Sequence, residues 1–340
     1  MYWYVTVAIV LLLLIIIEFA LRTNEAQILV PNVGYGSDID EDFERDKTAF
    51  NISKKIFSSD AKNWSKTKFN FNSPTLNFED GWRVTTDSPN NSSNRGFIFG
   101  GSTVLCVEVR DSETLTSYIQ RELNVISPLF RIVNRGISGA TVAGGLTSFV
   151  DTEIDPNDVV IVYFGVNDAK LNEYCQKSRG IFSLIPGWIS ILGFLRIKLK
   201  IRIAQWIWLE TVHLDEKQQR KISQNRAIKL MQNLDSWESK VRIRGATFIA
   251  ILQPHIWLKQ RSEAEVALSN RVAAATSTVL RFQYEAFHHV LRSQKYFRSF
   301  ESSLAGAHET TFTDWAHTNR RGNEIIAKKF AKEIFAAIDV

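Results

Sequence analysis

From Gly96 onward, short runs of β-branched and aromatic residues alternate with long amphipathic stretches. The candidate strands are Gly96–Gly100, Phe130–Asn134, Asp158–Gly165 and Ala246–Pro254. Helical patterns cover Ser112–Asn124, Ala140–Thr152, Asp215–Arg242, Ser262–Gln294 and Asn319–Ile338. Strands that alternate with helices predict an α/β fold, with a parallel sheet covered on both faces. The strands are near-continuous apolar runs, as such burial requires. In sheets of this kind, sites form beyond the carboxyl ends of the strands.

Each candidate strand end carries something unusual. "FIFGGSTV" stops an apolar strand at Gly100-Gly101-Ser102-Thr103. A P-loop needs wider glycine spacing and a Lys before the hydroxyl, so phosphate cradling is disfavoured. A plain turn and an exposed nucleophile both remain open on that stretch alone. "NRGISGAT" places Gly136 and Gly139 after the second strand, where close backbone approach is allowed. "GVNDA" places Asn167 and Asp168 after the third. Asn167 can cap a helix or offer its amide to a substrate oxygen, and Asp168 reads as a brace for the loop. "TDWAHTN" sets Asp314 three residues before His317, close enough for a carboxylate to fix the imidazole tautomer.

Together these four pieces supply what acyl transfer needs. Ser102 is the candidate nucleophile, His317 its general base and Asp314 the group that orients the base. The backbone N–H groups of Ser102 and Gly136, with the Asn167 side chain, are the candidate oxyanion hole.

The order "FGGSTV … NRGISG … GVND … DWAH" resembles the SGNH hydrolase family, also called GDSL-type esterases, over Gly96 to the C-terminus. The resemblance implies a flavodoxin-like three-layer α/β/α sandwich around a parallel sheet of about five strands. It implies a Ser102–His317–Asp314 triad, a serine hydrolase acting on esters, O-acetyl groups among them, and no cofactor. Many members carry Asp before the nucleophile, whereas this chain has Gly101. An O-acyltransferase acting on a cell-surface glycan shares the first half-reaction, and a binding protein that keeps the fold is a third reading.

The N-terminus stands apart. Residues 1–22 form an apolar run whose helix would be about 30 Å long, with Tyr2, Trp3 and Tyr4 at one end. A basic leader and a small-residue cleavage site are not evident, so a retained single-pass membrane anchor is expected over a cleaved signal peptide. An extracytoplasmic catalytic domain follows from reading that run as an uncleaved signal. Residues 23–95 are polar and rich in turn formers, and read as an irregular stalk or cap ahead of a catalytic domain at 96–340. Residues 181–210 are apolar and basic, and read as a packing helix or as a second membrane-facing surface, suited to a glycan or lipid-linked ester.

The net charge of +5 is spread along the chain without a basic block, which argues against a nucleic-acid partner. The histidines and Cys106 and Cys175 lack metal-ligand spacing, so no metal is expected, and whether the two thiols pair is left open. His255, in the loop after the fourth strand, is a weaker candidate for lining the cleft.

Overall fold

The computed structural model describes residues 41–57, 69–92, 94–170, 215–270 and 274–338. The expected anchor over residues 1–22, the segment 181–210 and Cys175 lie outside the described residues. Among the described residues no helix is long and apolar enough to cross a membrane.

A five-stranded sheet forms the centre. Its strands are β3 (Asn94–Gly100), β4 (Phe130–Gly136), β5 (Val159–Phe164), β6 (Thr247–Leu252) and β7 (Phe297–Ser299), in the order β4-β3-β5-β6-β7. Every adjacent pair is parallel. The order reverses at β3, so chain leaving β3 and chain leaving β5 diverge and open a crevice at the carboxyl ends. β7 escaped the sequence reading because three residues are too short to show a period.

Alternation along β5 serves two helical layers, since successive side chains point to opposite faces. Val160, Val162 and Phe164 face one core. That core is closed by α4 (Val142–Val150), α6 (Glu216–Ile243) and α8 (Ala274–Leu291). Its centre is Trp237 of α6, at 5.0 Å from the Phe99 ring and 4.8 Å from Phe149. The indole N–H of Trp237 donates to Val142 O at 3.0 Å, so its one polar atom is satisfied. Tyr163 points the other way and meets Phe330 at 5.2 Å. There α3 (Leu115–Ile126) packs against α9 (Arg320–Ile338).

The helices begin where local chemistry dictates. Thr114, Thr141 and Asp215 each accept a backbone N–H from the first turn of α3, α4 and α6. Within the helix expected over Ser262–Gln294, the described residues form α7 (Glu263–Asn270) and α8.

Within the expected stalk or cap, the described residues 41–57 and 69–92 include a helix and a small hairpin. α1 (Glu41–Phe57) places Phe43 and Phe50 on one face, seven residues apart. They pack with Phe69, Leu76 and Phe78, and with Leu105 of the sheet domain. Phe50 stacks on Phe78 at 4.5 Å. A small hairpin of β1 (Phe78–Glu79) and β2 (Trp82–Arg83) continues the pad. Burying each such ring contributes roughly 2 kcal/mol, so the pad is held by aromatic burial. Its aromatic residues are scattered among polar ones, and no sequence period announces them.

Candidate active site

Ser102 stands one residue beyond Gly101, where β3 gives way to the short helix α2 (Ser102–Leu105). Gly101 O accepts from the N–H groups of Val104 at 3.1 Å and Leu105 at 3.2 Å, which turns the chain sharply under Ser102. A side chain at 101 has no room, because its Cβ would collide with Asn167 Nδ2. The glycine at this position, where the resemblance leads one to expect aspartate, thus has a local cause.

His317 arrives from the loop before α9. Phe312 and Thr318 bridge in antiparallel fashion, and Thr313 N donates to His317 O at 2.8 Å, closing a tight turn. Asp314 fills that turn. Its Oδ1 accepts from the N–H groups of Ala316 and His317, both at 2.7 Å, and its Oδ2 lies 2.6 Å from His317 Nδ1. The far ring nitrogen, Nε2, lies 2.7 Å from Ser102 Oγ. Burial raises the Asp314 pKa, but hydrogen bonding to His317, its charge and the two backbone donors outweigh burial and hold it below the ordinary carboxylate value. An ionised Asp314 only accepts, so Nδ1 carries the ring proton and Nε2 is free to accept from Ser102.

A buried ion pair supports this loop. Lys259 Nζ, in the chain after β6, donates to Glu265 Oε2 at 2.8 Å and to Glu309 O at 2.9 Å. Glu265 Oε1 accepts from Thr311 N at 2.8 Å. Both charged side chains are at most 1% exposed. Three residues separate Thr311 from Asp314, so the clamp fixes the approach to the turn.

Asn167 is the second residue of α5 (Val166–Lys170), just past the end of β5, and its Nδ2 donates to Ala140 O at 3.0 Å. Asp168 accepts from Val142 N at 2.9 Å and so braces the start of α4. Burial pushes the Asp168 carboxyl up to about 7, against the pull of its backbone donors.

Gly136 departs from the expectation. Its N–H donates to Asn134 Oδ1 at 2.9 Å and is not free for an oxyanion. What Gly136 supplies is space, since a Cβ there would run into the backbone of Val104 and Leu105. The sequence reading missed Asn134, whose Nδ2 donates to Val104 O at 2.7 Å and so ties β4 to α2. The next turn holds the remaining glycine. Gly139 has φ +73°, and its turn is pinned by Ile137 N to Gly100 O at 3.0 Å and by Asn167 Nδ2 to Ala140 O. An Asn two residues before a Gly is the signal that separates the two glycines.

His255 is 2% exposed, with its ring edge-on to Tyr284 at 4.6 Å. Burial drives its pKa down to about 3, so the ring is neutral; it borders a cavity with Trp257, Arg281 and Tyr284, and Ser102 is not among that cavity's lining residues. Cys106 is also buried, and burial pushes its thiol up to about 12, which leaves it unreactive. Among the described residues no cluster of His, Cys, Asp and Glu could hold a metal ion.

No protein-family model matches the chain, and no curated protein does. Solved structures similar to it include a member of the lipolytic G-D-S-L family from Veillonella parvula, at 12% identity over 72% of this chain and 99% of that one, with a TM-score of 0.40. A lipase/acylhydrolase from Enterococcus faecalis shows 13% identity over 72% of this chain and 96% of that one, with a TM-score of 0.41. A carbohydrate acetylesterase from Sinorhizobium meliloti shows 12% identity over 72% of this chain and 99% of that one, with a TM-score of 0.41. The structure neighbours of this α/β chain are lipolytic hydrolases and esterases, a G-D-S-L family member among them.

Proposed function

We propose that the chain is a serine esterase that removes acyl groups, acetyl among them, through an acyl-enzyme. The observation that carries this reading is the continuous hydrogen-bonded path from Asp314 through His317 to Ser102, with links of 2.6 and 2.7 Å. Ser102 Oγ attacks the ester carbonyl while its proton passes to His317 Nε2. The C–O bond to the alcohol then breaks, and the alcohol leaves with the proton from Nε2. Water attacks the acyl-enzyme, giving its proton to Nε2, which passes it to Ser102 Oγ as the acid departs and the free enzyme is restored.

The tetrahedral oxyanion needs donors in place before charge develops. Ser102 N–H, the Asn167 amide and Gly139 N–H are the three we assign, with Gly139 in place of Gly136. Asn167 has a second amide proton besides the one given to Ala140 O. The apolar run over residues 1–22 favours a membrane-anchored form facing glycan or lipid-linked esters outside the cytoplasm.

Labelling with a fluorophosphonate and turnover of an activated acetyl ester test the reading. The folded protein should label at Ser102 and release acetate, and Ser102→Ala should lose both. A folded wild type that takes no label overturns the assignment. Acetyl transfer to an added glycan faster than acetate release replaces hydrolase with transferase.

A further inference from the structure

A second carboxylate reaches the active-site histidine. Glu108 Oε1 lies 3.8 Å from His317 Nε2, the nitrogen that faces Ser102, and both side chains are about four-fifths buried (19% and 20% exposed). At that distance it does not compete with the 2.7 Å bond to Ser102 Oγ, but it is well placed to feel a charge on the ring.

The position of Glu108 is built deliberately by its neighbours in the chain. Cys106 adopts a left-handed conformation (φ 52°) and donates its N–H to Ser102 O at 2.8 Å, which turns the chain back after α2. Beyond Glu108, Arg83 of the N-terminal hairpin takes hold. Its Nη2 donates to Val109 O at 2.8 Å and its Nε to Asp111 Oδ1 at 2.6 Å. Asp111 N donates to Thr75 O at 2.9 Å, and Thr75 Oγ1 donates to Asp46 Oδ2 of α1 at 2.7 Å. The loop that carries Glu108 is therefore gripped by Arg83, Thr75 and Asp46, residues ahead of the part of the chain that resembles a hydrolase.

We propose that Glu108 is a positioning residue that acts through His317, stabilising the imidazolium formed when Ser102 gives up its proton, and that the N-terminal pad exists in part to present it. The inference rests on the esterase reading. Among the charged groups facing His317 are Asp314 from its own turn and Glu108. Groups that feel the Glu108 charge include the Arg83 guanidinium, already paired with Asp111, and the Cys106 thiol, which burial keeps neutral. Arg320 at the start of α9 is turned to Glu113 at 3.9 Å.

The sign is fixed by charge. A carboxylate beside the ring favours its protonated form, so Glu108→Gln lets His317 lose its proton at lower pH. Two readouts separate this inference from the reading beneath it. The first is an NMR titration of the His317 imidazole in wild type and Glu108→Gln, whose midpoint should fall by about one unit. The second is the fluorophosphonate labelling rate against pH. Its acid limb should move down by the same amount, and its plateau should drop roughly tenfold, because one unit is a tenfold change in stabilisation of the charged ring. Glu108→Asp keeps the charge and withdraws it by one methylene, so it should fall between the two, and it serves as the test variant if Glu108→Gln does not fold. An unmoved titration overturns the inference whatever the labelling shows. A folded wild type that titrates as expected but takes no label overturns the esterase reading instead.

Discussion

Ser102 and His317 meet at 2.7 Å, yet the two regions that bring them together are built on different principles. The Ser102 corner is made by close backbone approach. Gly101 lies against Asn167, Gly136 against the backbone of α2, and the residues that hold the corner come from three neighbouring strand ends. The His317 turn is made by charge. Asp314 closes it from within, and the buried Lys259–Glu265 pair fixes the strand of chain leading into it. The corner fails by steric crowding, whereas the turn fails by loss of a partner. Substitutions that isolate one cause from the other sharpen that contrast.

The largest effect is expected inside the turn. In Asp314→Asn the amide oxygen can still accept from the Ala316 and His317 N–H groups, so the loop should keep its shape. The amide NH₂ then faces Nδ1 and favours the tautomer with the proton on Nε2, which cannot take the Ser102 proton. Turnover should fall roughly ten-thousand-fold with little change in melting temperature. A variant within tenfold of wild type would show that the tautomer is set elsewhere.

The clamp beneath the turn comes next. Lys259→Met leaves Glu265 buried without its cation, which costs about 3–5 kcal/mol in folding stability. Denaturant unfolding measures this. Adding Glu265→Gln should recover part of the loss, since the unpaired charge is what hurts. If the double variant is no better than the single one, the network is held by its neutral hydrogen bonds to Thr311 and Ser262.

In the corner, Gly136→Ala places a methyl group against backbone that cannot swing away as a side chain would. The expected cost is roughly 3 kcal/mol from overpacking, together with a loss of labelling as α2 shifts. Stability and labelling should fall together here, in contrast to Asp314→Asn. A stable Gly136→Ala protein with normal labelling would break the contrast between the two regions.

The same contrast explains what could be read from the residues alone. Ser102, Asn167, Asp314 and His317 stand at strand ends or in one short turn, where residue type and spacing carry the information. The sheet was legible because buried parallel strands are continuous apolar runs. Glu108 was not, since its meaning depends on a loop held by Arg83 and Asp111, with no spacing of its own. Asn134 reads as an ordinary strand residue until Gly136 and Val104 are placed around it. The N-terminal pad is built by tertiary burial of scattered phenylalanines, which no local period records.

The smallest effect concerns His255, which borders both regions. Gln253, two residues before it, accepts from Thr103 Oγ1 at 3.2 Å, and Ile256, next after it, donates to Trp315 O at 3.1 Å. Its folded pKa of about 3 lies below the ordinary value of 6.5. Between those values the unfolded chain binds a proton that the folded chain refuses, so His255 removes stability as pH falls below 6.5. Going from pH 7 to pH 5, this should cost roughly 2 kcal/mol, at 1.36 kcal/mol per unit of separation. His255→Phe keeps a ring against Tyr284 and has no proton to bind. Its stability should therefore vary less with pH than that of the wild type over this range, with the two curves closest near pH 7. Denaturant midpoints at pH 7, 6 and 5 decide it. Parallel curves would mean that the ring takes up its proton in the folded state, through water or a rearranged Tyr284, and that the join between corner and turn is looser than its burial implies.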